Sequence, residues 1–257
     1  MSTSSFSKIL TILDLFSIRQ SVINVDMICL ELGVSKPMGY RYLKELVEAG
    51  LLKKATGNVG DYVLGSKVAV LDYISRTTDP LIKMCVPMMQ EVVQRTEMLC
   101  LLTALDGQHC IDVHHESFIH NEHLMYGRGC PRPLTAGSSA KIILAYLSKK
   151  QQIDYYHFLA EDLQYSGFAK DEQEFIQLMR QVKKQGYYVS NGELSPNVSS
   201  LSVPLRYSHK EAPLALTIVA SSNRFEFMNI DKIAEMLKQL TQVIEQKSLE
   251  IEAEPVF

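Results

Sequence analysis

No stretch of this sequence approaches the run of about 18 to 20 apolar residues that a membrane-spanning helix requires. Its opening residues, Met1-Ser2-Thr3-Ser4-Ser5, have neither the basic start nor the apolar segment of a secretory signal. Cysteine is scarce: five residues, an odd number, with no C-x-x-C pair, which excludes a disulfide framework and fits reduced thiols. A cytoplasmic protein with no membrane partner is expected. Excess charge of either sign is also lacking. A net charge of −3 over 257 residues argues against a protein that coats nucleic acid along its whole length.

The composition is that of a folded chain. Hydrophobic residues make up 46% and charged residues 21%, which excludes disorder, and the length suits two domains. Charge is divided unevenly between them. Residues 1–68 hold eight Lys or Arg against six Asp or Glu, a balance of +2, and the remainder holds eighteen against twenty-three, a balance of −5. A mildly basic head on an acidic body suits phosphate contact by the head alone.

Within the head, Phe6, Ile9, Leu10, Leu13 and Phe16 recur at helical spacing and predict a first helix with one apolar stripe. A second helix is expected over about 26–32, capped by Asn24 or Asp26, burying Ile28, Cys29 and Leu32, and ended by Gly33. Ser35 starts a third, running to about residue 49, with Pro37 tolerated in its first turn. Helix, glycine turn, helix is the helix-turn-helix pattern. On the third helix Leu43, Leu46 and Val47 face inward, while Lys36, Tyr40 and Lys44 fall at i, i+4 and i+8 on the other side beside Arg41. Such a face is what a major groove requires: cations for phosphates, with Arg and Tyr able to reach base edges. Two β-prone runs around Thr56-Gly57-Asn58 then predict a hairpin, or wing, with Lys53 and Lys54 at the DNA backbone. The residues assigned to DNA are Lys36, Met38, Tyr40, Arg41, Lys44, Lys53 and Lys54.

The run Arg41-Tyr42-Leu43-Lys44-Glu45-Leu46-Val47-Glu48-Ala49-Gly50-Leu51-Leu52, followed by Tyr62-Val63-Leu64-Gly65, resembles the IclR family of bacterial transcription regulators. The likeness continues through Gly127–Ala145, Gly186–Leu205 and Ala215–Arg224, so that about 240 residues are covered. One departure stands out. Where the family has Ser-Thr and a small apolar residue early in the recognition helix, this chain has Pro37-Met38-Gly39, and a helical glycine costs about 1 kcal/mol relative to alanine.

The resemblance implies an α+β protein: a winged helix-turn-helix domain over 1–67, a linker helix over 68–79 and a GAF-like effector-sensing domain over 80–257. In the last, local pattern predicts helices over 81–95, 136–147, 149–158, 171–185 and 229–250, and strands over 98–105, 109–114, 122–126, 187–190, 199–205 and 214–220. By the family pattern the effector pocket is walled by Leu124, Arg132, Ser138, Ser139, Ser190, Val198, Ser200, Thr217 and Val219. Ser138 and Ser139 stand near a helix start, where free N–H groups favour an anion. The family often has Asp at position 190, and here it is Ser190; an acid lost, with Arg132 nearby, suggests a small organic acid or sugar acid. The implied partners are operator DNA, that small anion and further copies of the chain, as a dimer or tetramer. No cofactor is implied, and the output expected is repression of a catabolic operon.

Two other chemistries compete. Ser138-Ser139-Ala140-Lys141 spells S-x-x-K, a nucleophile motif, but its partner motifs S-D-N and K-T-G do not occur, and an enzyme is not expected. His109, His114, His115, His120 and His123 cluster near Cys110 and suggest a metal- or redox-responsive regulator. On a regular strand His109 and His115 would share a face and His114 would oppose them. Solvated or hydrogen-bonded histidines are the expectation, with no metal ligand assigned.

Overall fold

The computed structural model describes residues 5–118, 127–207 and 212–253. It divides into two compact units, Met1–Asp79 and Pro80–Phe257.

The first unit opens with α1 (Ser5–Thr11), a 3-10 turn (Ile12–Leu15) and the short strand β1 (Ile23–Asn24). Helices α2 (Val25–Leu32) and α3 (Lys36–Glu48) follow, then the wing strands β2 (Leu52–Lys54) and β3 (Asp61–Leu64), and α4 (Ser66–Thr78). Asn24 caps α2 by accepting from the Met27 N–H at 3.1 Å, and Gly33 ends it at φ +61°, the left-handed position glycine takes without steric cost. The three strands form an antiparallel sheet in the order β1-β3-β2. Its core joins Ile12, Ile28, Leu43, Leu46 and Leu52.

Two expectations change here. The first helix breaks to 3-10 geometry at Ile12, which rotates the face that follows. Ile12 is fully buried, Ile9, Leu13 and Phe16 pack beside it, and Phe6 and Leu10 of the predicted stripe lie 81% and 60% exposed. Gly39, read from sequence as a weakness, is buried where α3 crosses α2. A Cβ there would stand 2.8 Å from the Val25 Cγ2 methyl, so the missing side chain permits the crossing.

The second unit begins with α5 (Pro80–Thr96) and the hairpin β4 (Leu99–Asp106) and β5 (His109–Glu116). After β6 (Pro131–Pro133) come α6 (Ser138–Tyr146), α7 (Lys149–Tyr165) and α8 (Glu172–Gln185). Strands β7 (Tyr188–Asn191), β8 (Val198–Leu205) and β9 (Leu214–Ser221), then α9 (Ser222–Glu226) and α10 (Ile230–Ala253), complete it. The strands make one antiparallel sheet, ordered β6-β5-β4-β9-β8-β7. Residues alternate between its faces. Cys100, Leu102, Leu201, Val203, Leu216 and Ile218 join the core formed with α5 and α10, while Cys110 and Ala215 join that of α6, α7 and α8. α7 runs seven residues past its predicted end. β6 and α9 were not predicted, and β6 is an edge strand, where proline's missing N–H costs no ladder bond. The strand expected over 122–126 lies outside the described residues.

β5 carries a bulge. His114 pairs with Leu102 and Asp112 with Thr103, leaving Val113 as an extra residue. The alternation therefore slips by one. His109 and His114 share a face and His115 takes the other, opposite to the strict-alternation expectation.

Candidate functional site

In the first unit the seven residues assigned to DNA, Lys36, Met38, Tyr40, Arg41, Lys44, Lys53 and Lys54, are all exposed, five on α3 and two on β2. α3 buries Gly39, Tyr42, Leu43 and Leu46, which leaves the opposite side to solvent. β2 buries only Leu52, so Lys53 and Lys54 are presented outward. A groove of about 520 Å³ runs between Tyr40 and the wing, bounded by Lys54, Gly57, Asn58 and Tyr62. Asn58, absent from the sequence assignment, is held there by donating to the Asp61 carboxylate at 3.2 Å. Two cations are already engaged: Lys36 pairs with Asp26 at 2.7 Å and Lys44 with Glu48 at 3.6 Å, both pairs exposed. The Asp26 carboxylate raises the Lys36 pKa further. Arg41 has no ion pair among the described residues.

In the second unit the predicted effector residues gather on the sheet face beneath the start of α6. Register sets them in rows. Ser190, Ser200 and Val219 lie side by side across β7, β8 and β9, and Ser202 and Thr217 form the next row. Ser138 and Ser139, both buried at the start of α6, meet those rows from above. Ser138 Oγ is 2.7 Å from Ser200 Oγ and accepts from Ser202 Oγ at 2.7 Å. Ser139 Oγ is 2.9 Å from Thr217 Oγ1, and Thr217 is 2.6 Å from Ser202. Val198 packs with Leu99, Leu101, Val219 and Leu194 as an apolar side. Leu124 lies outside the described residues.

Arg132 belongs to the same face, but its charge is met. Its guanidinium pairs with Asp112 and donates to Thr103 Oγ1 at 3.0 Å, and Thr103 donates to Asp112 at 2.7 Å. Burial pushes the Asp112 carboxyl up, against the pull of Arg132 and the Thr103 hydroxyl. One Asp112 oxygen, Oδ2, is buried without a hydrogen-bond partner among the described residues. Arg132 is therefore not a free cation awaiting an anionic ligand, as the sequence suggested. Ser202, Thr103 and Asp112 were missed. Ser202 had a signal, since it follows Val198 and Ser200 at strand spacing, whereas Asp112 and Thr103 join the site only through the hairpin register.

The S-x-x-K residues are not paired as a nucleophile and base. Lys141 is 1% exposed, donates to the Thr135 carbonyl, stands over the Phe168 ring at 4.0 Å and faces Glu193 at 3.9 Å. Burial holds its pKa down to about 8. Glu193 also accepts from the Gly137 N–H at 2.9 Å, so the chain's own carboxylate sits at the entrance to α6. The described histidines do not converge either. His114 bonds Glu116 at 2.8 Å, His115 accepts from the Arg128 N–H at 3.3 Å, and His120 and His123 lie outside the described residues. Among the described residues no three His, Cys, Asp or Glu side chains are grouped to hold a metal. Burial pushes the Cys110 thiol up to about 12 and the Cys100 thiol higher, which opposes thiolate chemistry at both.

The sequence profile described as bacterial transcriptional regulator IclR C-terminal matches residues 73–246. The chain is 25% identical over 243 residues to the HTH-type transcriptional regulator KipR of Bacillus subtilis, covering 93% of this chain and 95% of that one. It is 24% identical to the Pca operon regulatory protein of Acinetobacter baylyi, covering 86% and 80%. Among solved structures it resembles an IclR family transcriptional regulator from Brucella abortus, with TM-score 0.80, 19% identity and coverage of 95% and 92%. An IclR homolog from Microbacterium hydrocarbonoxydans complexed with 4-hydroxybenzoate matches with TM-score 0.73 and 17% identity, covering 96% of this chain and all of that one.

Proposed function

The chain belongs to the IclR family of bacterial transcription regulators, a family of non-enzymes, and on that premise we propose that it represses a catabolic operon until a small organic acid occupies the sheet face beneath α6. The observation that carries the DNA half is the outward face of α3 together with the wing. Arg41, Tyr40 and Lys44 enter the major groove, and Lys53 and Lys54 hold the backbone beside it. Lys36 first exchanges Asp26 for a phosphate.

For the effector half, the IclR homolog complexed with 4-hydroxybenzoate supports an organic acid. In this chain its carboxylate meets the Ser138 and Ser200 hydroxyls rather than Arg132, whose charge Asp112 already balances. The protein works in the cytoplasm as a two-fold dimer or a dimer of dimers, reading half-sites about one helical turn apart or a multiple of it. Effector binding shifts the operator-bound population only as far as the acid binds the two states unequally.

The test is fluorescence anisotropy of the full chain on the DNA upstream of its own gene, against scrambled DNA, across a salt series. Specific binding should fall steeply with salt, and Arg41→Ala should cost about 1 to 3 kcal/mol on the specific site. Asp26→Asn, which releases Lys36, should tighten binding several-fold. Equal affinity for both DNAs, unmoved by Arg41→Ala, would sink the assignment of α3 as the reading helix.

A further inference from the structure

The regulator reading leaves the far end of α6 unused. Tyr146, its last residue, borders a cleft of about 380 Å³ walled by Lys183 and Lys184 at the end of α8, Arg206 just past β8, and Lys238 and Glu245 on α10. Among the described residues four cations face one acid. Among the described residues none of the four forms an ion pair, and Glu245 is engaged by the Arg206 backbone N–H, which donates to it at 2.7 Å.

Three of the cations are held in place. Lys183 Nζ and Arg206 Cζ each stand 5.3 Å from the centre of the Tyr146 ring. Lys238 Nζ lies 5.2 Å from the Tyr187 ring and donates to the Gln185 carbonyl at 3.0 Å. The plain reading is that these lysines offset the exposed carbonyls at the end of α8. The magnitudes do not close. A helix C-terminus carries about half an elementary negative charge, so the ends of α8 and α6 together with Glu245 leave an excess of roughly +2 among the described residues. That excess sits in a body, residues 69–257, whose sequence balance is −5. Arg206 lies just past the last residue of β8, on no helix of its own, with its guanidinium over the Tyr146 ring.

We propose that this cleft is a second ligand site, for a small molecule bearing two or more anionic groups. The guanidinium fork of Arg206 suits a planar or tetrahedral oxyanion, the lysines supply point charges around it, and the volume admits a compact phosphorylated compound or a polycarboxylate. The site is separate from the effector face. α6 spans nine residues, so the two stand about 13 Å apart along one helix, which gives an occupant of either a direct mechanical route to the other.

Isothermal titration of the full chain at about 0.15 M salt tests this, with pyrophosphate and citrate as probes and acetate as the singly charged control. At least one probe should bind once per chain with a Kd below about 1 mM. The Arg206→Gln/Lys238→Gln variant should weaken it about tenfold or more. Glu245→Gln, which removes the one acid among the described lining residues, should tighten it, a result no misfolded variant could give. Preference for pyrophosphate assigns the site to phosphoryl ligands, and preference for citrate to polycarboxylates. The cationic DNA face is the competing location, so Lys44→Gln/Lys54→Gln should leave the titration unchanged. Binding no tighter than acetate, or a loss that follows Lys44 and Lys54 instead, overturns the proposal.

Discussion

Asp112 and Arg132 form an ion pair across the β5–β6 edge of the sensor sheet, with 0% and 9% of their side chains exposed. Buried pairs add little net stability, yet breaking one by removing a single partner strands a charge. Arg132→Met should therefore destabilise the protein by about 3 to 5 kcal/mol, and the Asp112→Asn/Arg132→Met double variant by clearly less. Urea unfolding of the three proteins decides it. Equal losses from the single and double variants would mean that no stranded Asp112 charge contributes to the cost.

Gly39 makes a prediction of opposite sign to the one its helix position suggests. Alanine gains about 1 kcal/mol of helix propensity there, but its methyl would meet the stiff, buried Val25 at 2.8 Å. Overpacking costs about 1 to 3 kcal/mol, so Gly39→Ala should be net destabilising and should weaken operator binding by displacing α3. A rise in melting temperature would show instead that α2 yields at no cost.

Lys141 should make stability depend on alkaline pH. Burial lowers its pKa from 10.5 to about 8, so the folded chain prefers the neutral amine. Between those values the unfolded chain binds the proton and the folded chain does not, and stability rises with pH across that window. Below pH 8 the full cost of the buried ammonium is present. Unfolding free energies measured from pH 7 to 10 should rise for the wild type relative to Lys141→Met, by an amount of the order of 3 kcal/mol at most. Parallel curves would place Lys141 in water.

Phe6 and Leu10 are apolar and exposed on α1, and Tyr73 of α4 is 62% exposed. If these faces are where two copies meet, the wild type should have at least twice the 29.0 kDa chain mass by light scattering. Phe6→Glu/Leu10→Glu should then run as a single chain at low micromolar concentration. An unchanged mass would move the contact elsewhere.

The head was legible because its signals are local. Asn24, Gly33 and Ser35 punctuate two helices, and the side of α3 opposite Leu43 and Leu46 is read off a period of 3.6. The first helix misled because periodicity assumes an unbroken helix, and the 3-10 turn at Ile12 is not written in the apolar pattern. The histidines misled for the matching reason on a strand, since one extra residue at Val113 exchanges the two faces.

Sequence by itself determined the elements, the cationic face and the serines at the start of α6, because caps, periods and short motifs act over a few neighbouring residues. Only the tertiary structure decided what those groups meet. Thr103, Asp112 and Arg132 come from three strands, and Ser139, Thr217 and Ser202 span 78 residues of chain in their hydrogen bonds. Whether Arg132 is free or neutralised depends on which acid the sheet register sets beside it. Likewise, Lys183, Arg206 and Lys238 become one cationic cleft only when α8, the end of β8 and α10 pack around Tyr146. Electrostatics acts through space over a few ångströms, and the sequence orders residues only along the chain.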